Sequence, residues 1–187
     1  AVSAKLNLSP SSTAVEGEAS SNGVIDATYL QKTGAVDLRT LDVVLPSSHL
    51  SARGRLGAYP MTSPTGVTVD FQSHNLGEFD TLFRDLGLNR GGKSGSAALP
   101  ISLGGEADFH GTWAGSLLDP YLAGTFQATN FSIEVPAGQN GGQARSVHLD
   151  SLDATGSYSA EKISIDHGQL HHGDASITLD GTLTAVT

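Results

Sequence analysis

The sequence predicts an all-β protein: a mostly antiparallel, curved sheet with one short helix. Three observations lead there. Apolar and polar residues alternate at period two along almost the whole chain, the pattern of strands with one buried and one wetted face. Glycine is abundant, at 23 of 187 residues, or about 12% against about 7% in average proteins. The apolar runs and the stretches between them are short, which favours antiparallel neighbours and roughly ten to twelve strands.

The elements follow in order. Val2, Ala4, Leu6 and Leu8 begin the alternation, and 24–30 continue it. Val36 and Leu38, then Leu41, Val43 and Leu45, then Leu50, Ala52, Gly54 and Leu56 mark the next strands. Val67, Val69 and Phe71 form another, and so do Leu99, Ile101 and Leu103. From Glu106 to Val135 two strands meet at Asp119-Pro120; Ala107, Phe109, Gly111, Trp113, Gly115 and Leu117 share a face, as do Leu122, Gly124, Phe126 and Ala128. Val147 and Leu149 lead to Leu152, Ala154, Gly156 and Tyr158. The last strands hold Ile163, Ile165 and Leu170, then Ile177, Leu179, Gly181 and Leu183. Leu38 to Leu41 and Leu149 to Leu152 are steps of three. An odd step moves apolar residues to the other face unless a bulge or bend absorbs it; a short loop between separate strands is the alternative.

Residues 75–87 break the rhythm. Leu76, Phe79, Leu82, Phe83 and Leu86 fall on one helical face, Asn75 and Glu78 resemble a capping start, and Gly87 a stop. The helix either covers the sheet or acts as a plug over an apolar groove. Residues 88–96 read as a flexible loop. An internal echo is also present. Val36, Leu38, Val43, Leu50, Ala52, Gly54 and Leu56 match Ile163, Ile165, Leu170, Ile177, Leu179, Gly181 and Leu183 at a constant offset of 127. Tyr29 matches Tyr158 if the first turn is two residues shorter in the second copy. Each copy reads as a three-strand meander, as in architectures that grow by adding strands.

Charge narrows the function classes. The net charge is −9 and the ten Lys and Arg never cluster, so nucleic acid is a poor partner. There are no cysteines, which excludes disulfides, thiol catalysis and zinc–thiolate sites. No apolar run is long enough to span a bilayer. The chain opens at Ala1 without a signal peptide and reads as one β-domain, 1–187, cut from a longer protein. Gly87, Gly92, Lys93 and Ser94 fit the phosphate-loop pattern, but that chemistry needs a strand before the loop and a helix after it, the reverse of the order here. His167, His171 and His172 beside Asp166 and Asp174 read as a solvated strand end rather than a metal site. No Gly-x-Ser-x-Gly elbow is present. Neither a catalytic constellation nor a cofactor site is expected. Trp113 and Phe109 either pack in a core or stack on sugars.

Three stretches together resemble the AsmA-like/TamB (translocation and assembly module) family of bacterial envelope proteins. They are "LDVVLPSSHLSARGRLG" with "VDFQSHNLGEFDTLFRDLGL", "GEADFHGTWAGSLLDPYLAGTFQATNF" and "LDATGSYSAEKISIDHGQLHHGDASITLDGTL". They span most of the chain from Ile25 onward. The resemblance implies a long, strongly curved sheet (a β-taco) with an apolar inner face. It implies a non-enzymatic periplasmic segment of an inner-membrane-anchored protein that shields phospholipid acyl chains, with outer-membrane assembly proteins as further partners. The expected lipid-groove residues are Phe71, Leu103, Phe109, Trp113, Leu117, Phe126 and Ile165. The rival expectation is a structural, adhesive or carbohydrate-binding β-sandwich or β-solenoid whose apolar faces close on each other.

Overall fold

A computed structural model describes residues 1–8, 21–79, 89–90, 93–94, 102–135, 145–159 and 162–184. Ten strands form one sheet. They are β1 (Val2–Leu8), β2 (Asn22–Leu30), β3 (Ala35–Val44), β4 (Ser48–Gly57), β5 (Gly66–Ser73), β8 (Ser102–Gly115), β9 (Pro120–Val135), β10 (Arg145–Ser159), β11 (Lys162–His172) and β12 (Ala175–Thr184). A separate two-residue ladder joins β6 (Asn89–Arg90) to β7 (Lys93–Ser94), inside the stretch expected to be a loop. The sheet order is β1-β2-β3-β4-β5-β8-β9-β10-β11-β12, and every pairing is antiparallel. The meander never closes, because β1 and β12 are edge strands. Among the described residues, strands touch chiefly their ladder neighbours and no second sheet packs on the first.

Register turns alternation into two faces. One row of directly opposed residues runs Leu6, Ile25, Leu41, Ala52, Val69, Gly111, Gly124, Gly156, Ile165 and Gly181, one from each strand. Its neighbour runs Gly23, Val43, Leu50, Phe71, Phe109, Phe126, Ala154, Gly168 and Leu179. The row on the other side runs Ala4, Ala27, Leu38, Gly54, Val67, Trp113, Leu122, Tyr158 and Ile163. None of these positions is polar apart from the Trp and Tyr tips. Between them lie polar rows such as Ser51, Asp70, His110, Thr125, Thr155 and His167.

Bulges keep those rows in phase. Registers shift between Asp26 and Ala27, Leu38 and Leu41, Thr155 and Gly156, and Ile165 and Gly168. The step from Leu38 to Leu41 is therefore a bulge inside β3, not a loop between strands. An extra residue bends the strand and increases its twist, so these shifts curve the sheet while holding the apolar set on one side. On β9, Asn130 takes a left-handed conformation at φ 50 within the change of phase from Ala128 to Phe131. β10 changes phase beside it, from Leu149 to Leu152, within one continuous strand.

The buried cluster sits at one end of the apolar face: Leu76, Ala107, Ala128 and Phe131, flanked by Phe71, Phe79, Leu103, Phe126 and Ile133. Leu76 and Phe79 come from the turn after β5. Phe79 meets Phe71 edge to face at 5.4 Å between ring centres, and Phe126 meets Phe131 at 6.1 Å. Asn75 starts this turn as expected, its Oδ1 accepting the Gly77 N–H at 3.1 Å. Glu78 does not complete a capping box. Its carboxylate instead accepts the Ser47 N–H at 3.1 Å, while the Asn75 N–H donates to Ser73 Oγ at 3.2 Å. The Leu76 N–H donates to the Gly105 carbonyl at 2.8 Å. The turn is thus tied across the sheet to the start of β4 and to β8. Residues 80–88, with Leu82, Phe83 and Leu86 of the expected helix, lie outside the described residues, as do Leu99 and Ile101.

Candidate functional site: an apolar lane across the sheet

Beyond the turn at 76–79 the apolar face lies open. Tyr158 is 53% exposed, Ile163 41%, Leu179 42% and Ile177 59%, which a closed core would not allow. Across β8 to β11 this face holds a groove of about 250 Å³. Its floor includes Gly124 and Gly156. Phe109, Phe126 and Ala154 stand on one side of that floor, and Leu122, Tyr158 and Ile163 on the other. Thr155, Ser157 and Ser164 also border it, at alternate positions that belong to the polar face. Same-face rows lie about 6.6 Å apart, two residues at about 3.3 Å each. The lane therefore runs perpendicular to the strands, one row wide.

Two forces select glycine on its floor. A Cβ at Gly156 would strike the Ser164 carbonyl oxygen, and one at Gly124 the carbonyl oxygen of His110. At Gly111 it would meet the Phe109 ring, which folds over that position, and the Ala123 carbonyl oxygen. Close strand approach thus demands glycine, and the missing side chains leave a depression.

The expected groove residues divide. Phe109, Phe126 and Ile165 line the lane. Phe71 belongs to the row of Phe109 and Phe126 but packs against Phe79. Leu103 packs beside the buried cluster. Trp113 stands in the Leu122 and Tyr158 row; its Nε1 is shut off from solvent and has no hydrogen-bond partner among the described residues. Leu117 lies outside every row, in the corner after β8, where its N–H donates to the Met61 carbonyl at 3.1 Å. Leu122, Ala154, Gly156, Tyr158 and Ile163 were not singled out as groove residues. The echo had marked Tyr158 and Ile163, yet alternation along one strand does not say which residues of other strands stand opposite.

The polar face carries scattered pairs. Arg39 hydrogen-bonds Asp26 and holds its carboxyl below the usual range. His49 Nε2 lies 3.0 Å from Asp42 Oδ2, and His110 Nδ1 contacts Asp70. Asp150 accepts the Gly173 N–H; that bond, helped by His172 and His148, lowers its pKa. A basin of about 330 Å³ gathers His49, Ser51, Asp70, Asp108, His110 and Gln127. Within it His49 pairs with Asp42 and His110 with Asp70. Among the described residues no three His, Asp or Glu side chains gather as metal ligands would, and no helix is long and apolar enough to cross a membrane. No protein-family model, curated protein or solved structure matches the chain.

Proposed function

We propose that this chain is a non-enzymatic segment of a lipid-conduit protein of the AsmA-like/TamB kind, acting in the periplasm and shielding phospholipid acyl chains on its apolar face. One observation carries the reading: three adjacent rows of apolar residues and glycine cross the sheet almost from edge to edge, and much of that face is exposed. Hydrocarbon has no hydrogen bonds to satisfy, and each buried CH₂ gains about 0.8 kcal/mol. A lane whose walls and floor are apolar residues and glycine, apart from the Tyr158 hydroxyl, meets that need and discriminates weakly among chain lengths. The acyl chain would lie across the strands, between the Phe109/Phe126 wall and the Tyr158/Ile163 wall. A sandwich would need a second apolar layer, and among the described residues the ten-stranded sheet is accompanied only by the two-residue ladder of β6 and β7.

Uptake of a fluorescent fatty-acyl probe by the delipidated chain tests this. Phe126→Asp or Ile165→Asp would set a charge in the lane and weaken uptake roughly tenfold or more. Thr125→Asp, on the other face, would leave it unchanged. Absence of uptake, or equal loss in all three variants, would contradict the proposal.

A further inference from the structure

Antiparallel pairing brings the turns at 31–34, 58–65, 116–119 and 160–161 to one end of the sheet. Apart from residues 160 and 161, all of these turns are described. Backbone hydrogen bonds lace the first three together. The Ala58 and Tyr59 N–H groups donate to the Gly34 carbonyl at 3.0 and 2.7 Å. The Leu117 N–H donates to the Met61 carbonyl at 3.1 Å, and the Thr65 N–H to the Gly115 carbonyl at 2.7 Å. Gly34 stands at φ 61, and a Cβ there would strike the Tyr59 carbonyl oxygen. The three turns therefore form one tied ridge across β2 to β9.

The ridge has a composition of its own. All four tyrosines of the chain, Tyr29, Tyr59, Tyr121 and Tyr158, lie at or beside this end. Tyr59 is 73% exposed, Leu118 63%, Met61 48% and Tyr121 45%. The contrast between the two faces also fades here. The last row of the polar face reads Leu30, Ala35 and Gly57 in one part and Ala114, Tyr121 and Ser159 in another. Apolar groups thus stand on both faces and on the turns beyond them. A protein seated on one face needs only that face apolar, whereas immersion in a lipid interface needs all sides so. Tyrosine suits that level, with its ring at the acyl boundary and its hydroxyl among the headgroups. Charge fits as well. Asp42, Glu106, Glu134, Asp150 and Asp174 stand toward the opposite end. Among the described residues this end offers Lys32 and Lys162 against Asp119, while Arg55 and Asp37 offset each other. A phospholipid headgroup layer therefore meets this end with the least repulsion.

We propose that this end of the sheet docks on a phospholipid bilayer, with Tyr59, Met61, Leu118 and Tyr121 entering its interface. The inference goes beyond the acyl-chain reading and stands whether or not the lane carries hydrocarbon. The two features are adjacent. Leu122 and Tyr158, which wall the lane, lie within two residues of the strand ends at Pro120 and Ser159. The lane therefore opens beside the ridge.

Flotation of the whole chain with phosphatidylethanolamine–phosphatidylglycerol vesicles tests it. The chain should float with the vesicles and stay bound at high salt, because apolar burial rather than charge holds it. A Tyr59→Ser, Leu118→Ser double variant should weaken binding roughly tenfold or more. Val147→Ser, at a residue 55% exposed toward the opposite end, should leave binding unchanged. Circular dichroism confirms that the variants keep their strands. The double variant should still take up the soluble fatty-acyl probe, and Phe126→Asp should still float, so failure of the ridge and failure of the lane are distinguishable. A chain that stays behind, binding that salt releases, or equal loss in Val147→Ser overturns the inference. So does binding that Phe126→Asp abolishes and the double variant spares. Self-association without vesicles that the double variant abolishes also overturns it, since a second copy would then cover the ridge.

Discussion

At the scale of single residues, glycine position decides more than glycine content. Gly156 and Gly181 occupy the same apolar row, yet a Cβ at Gly156 meets the Ser164 carbonyl while Gly181 faces open space. Gly156→Ala should destabilise the fold by roughly 1–3 kcal/mol, and Gly181→Ala should stay within about 0.5 kcal/mol. Urea unfolding midpoints separate the two. Abundant glycine was plain in the sequence, but which glycines bear the close approach depends on strands far apart in the chain. Asp150 allows a pH prediction. Its carboxyl is held below the ordinary value by the Gly173 N–H, so the contribution is complete above the unfolded value of about 3.9. It fades as pH falls through the lower folded value. The Gly173 amide resonance should titrate below that pH, and Asp150→Asn should abolish the titration.

At the scale of elements, the two meanders share more than a pattern. Their bulges recur at equivalent places: Asp26/Ala27 with Thr155/Gly156, and Leu38/Leu41 with Ile165/Gly168. Alternation alone resembles alternation anywhere, whereas a repeated irregularity is specific. Most strands were legible because period two survives within each one, and the hairpin of β8 and β9 turned where Asp119-Pro120 indicated. Leu117 was misread as part of the wall because its alternation continues past Gly115, where the chain leaves the sheet. The turn at 75–79 was legible at Asn75, but the role of Glu78 was not, since Ser47 lies 31 residues away. Leu76 is 5% exposed over Ala107, Ala128 and Phe131. Leu76→Ala should therefore cost roughly 2–5 kcal/mol, measured by chemical unfolding.

At the scale of the whole molecule, the sheet is a single open layer whose two faces differ in chemistry from edge to edge. A water-exposed apolar face of this extent is rare in a monomer and marks an interaction surface. The account's central claim is that hydrocarbon occupies this face. The most direct measurement places a photoreactive side chain at Phe109, Tyr158 and Ile165 on the apolar rows, and at Thr125, Gln127 and Asp153 on the polar ones, and then illuminates each variant with phospholipid vesicles. The account predicts lipid adducts at the first three positions and none at the second three. Equal labelling of both faces, or adducts at neither, would contradict it.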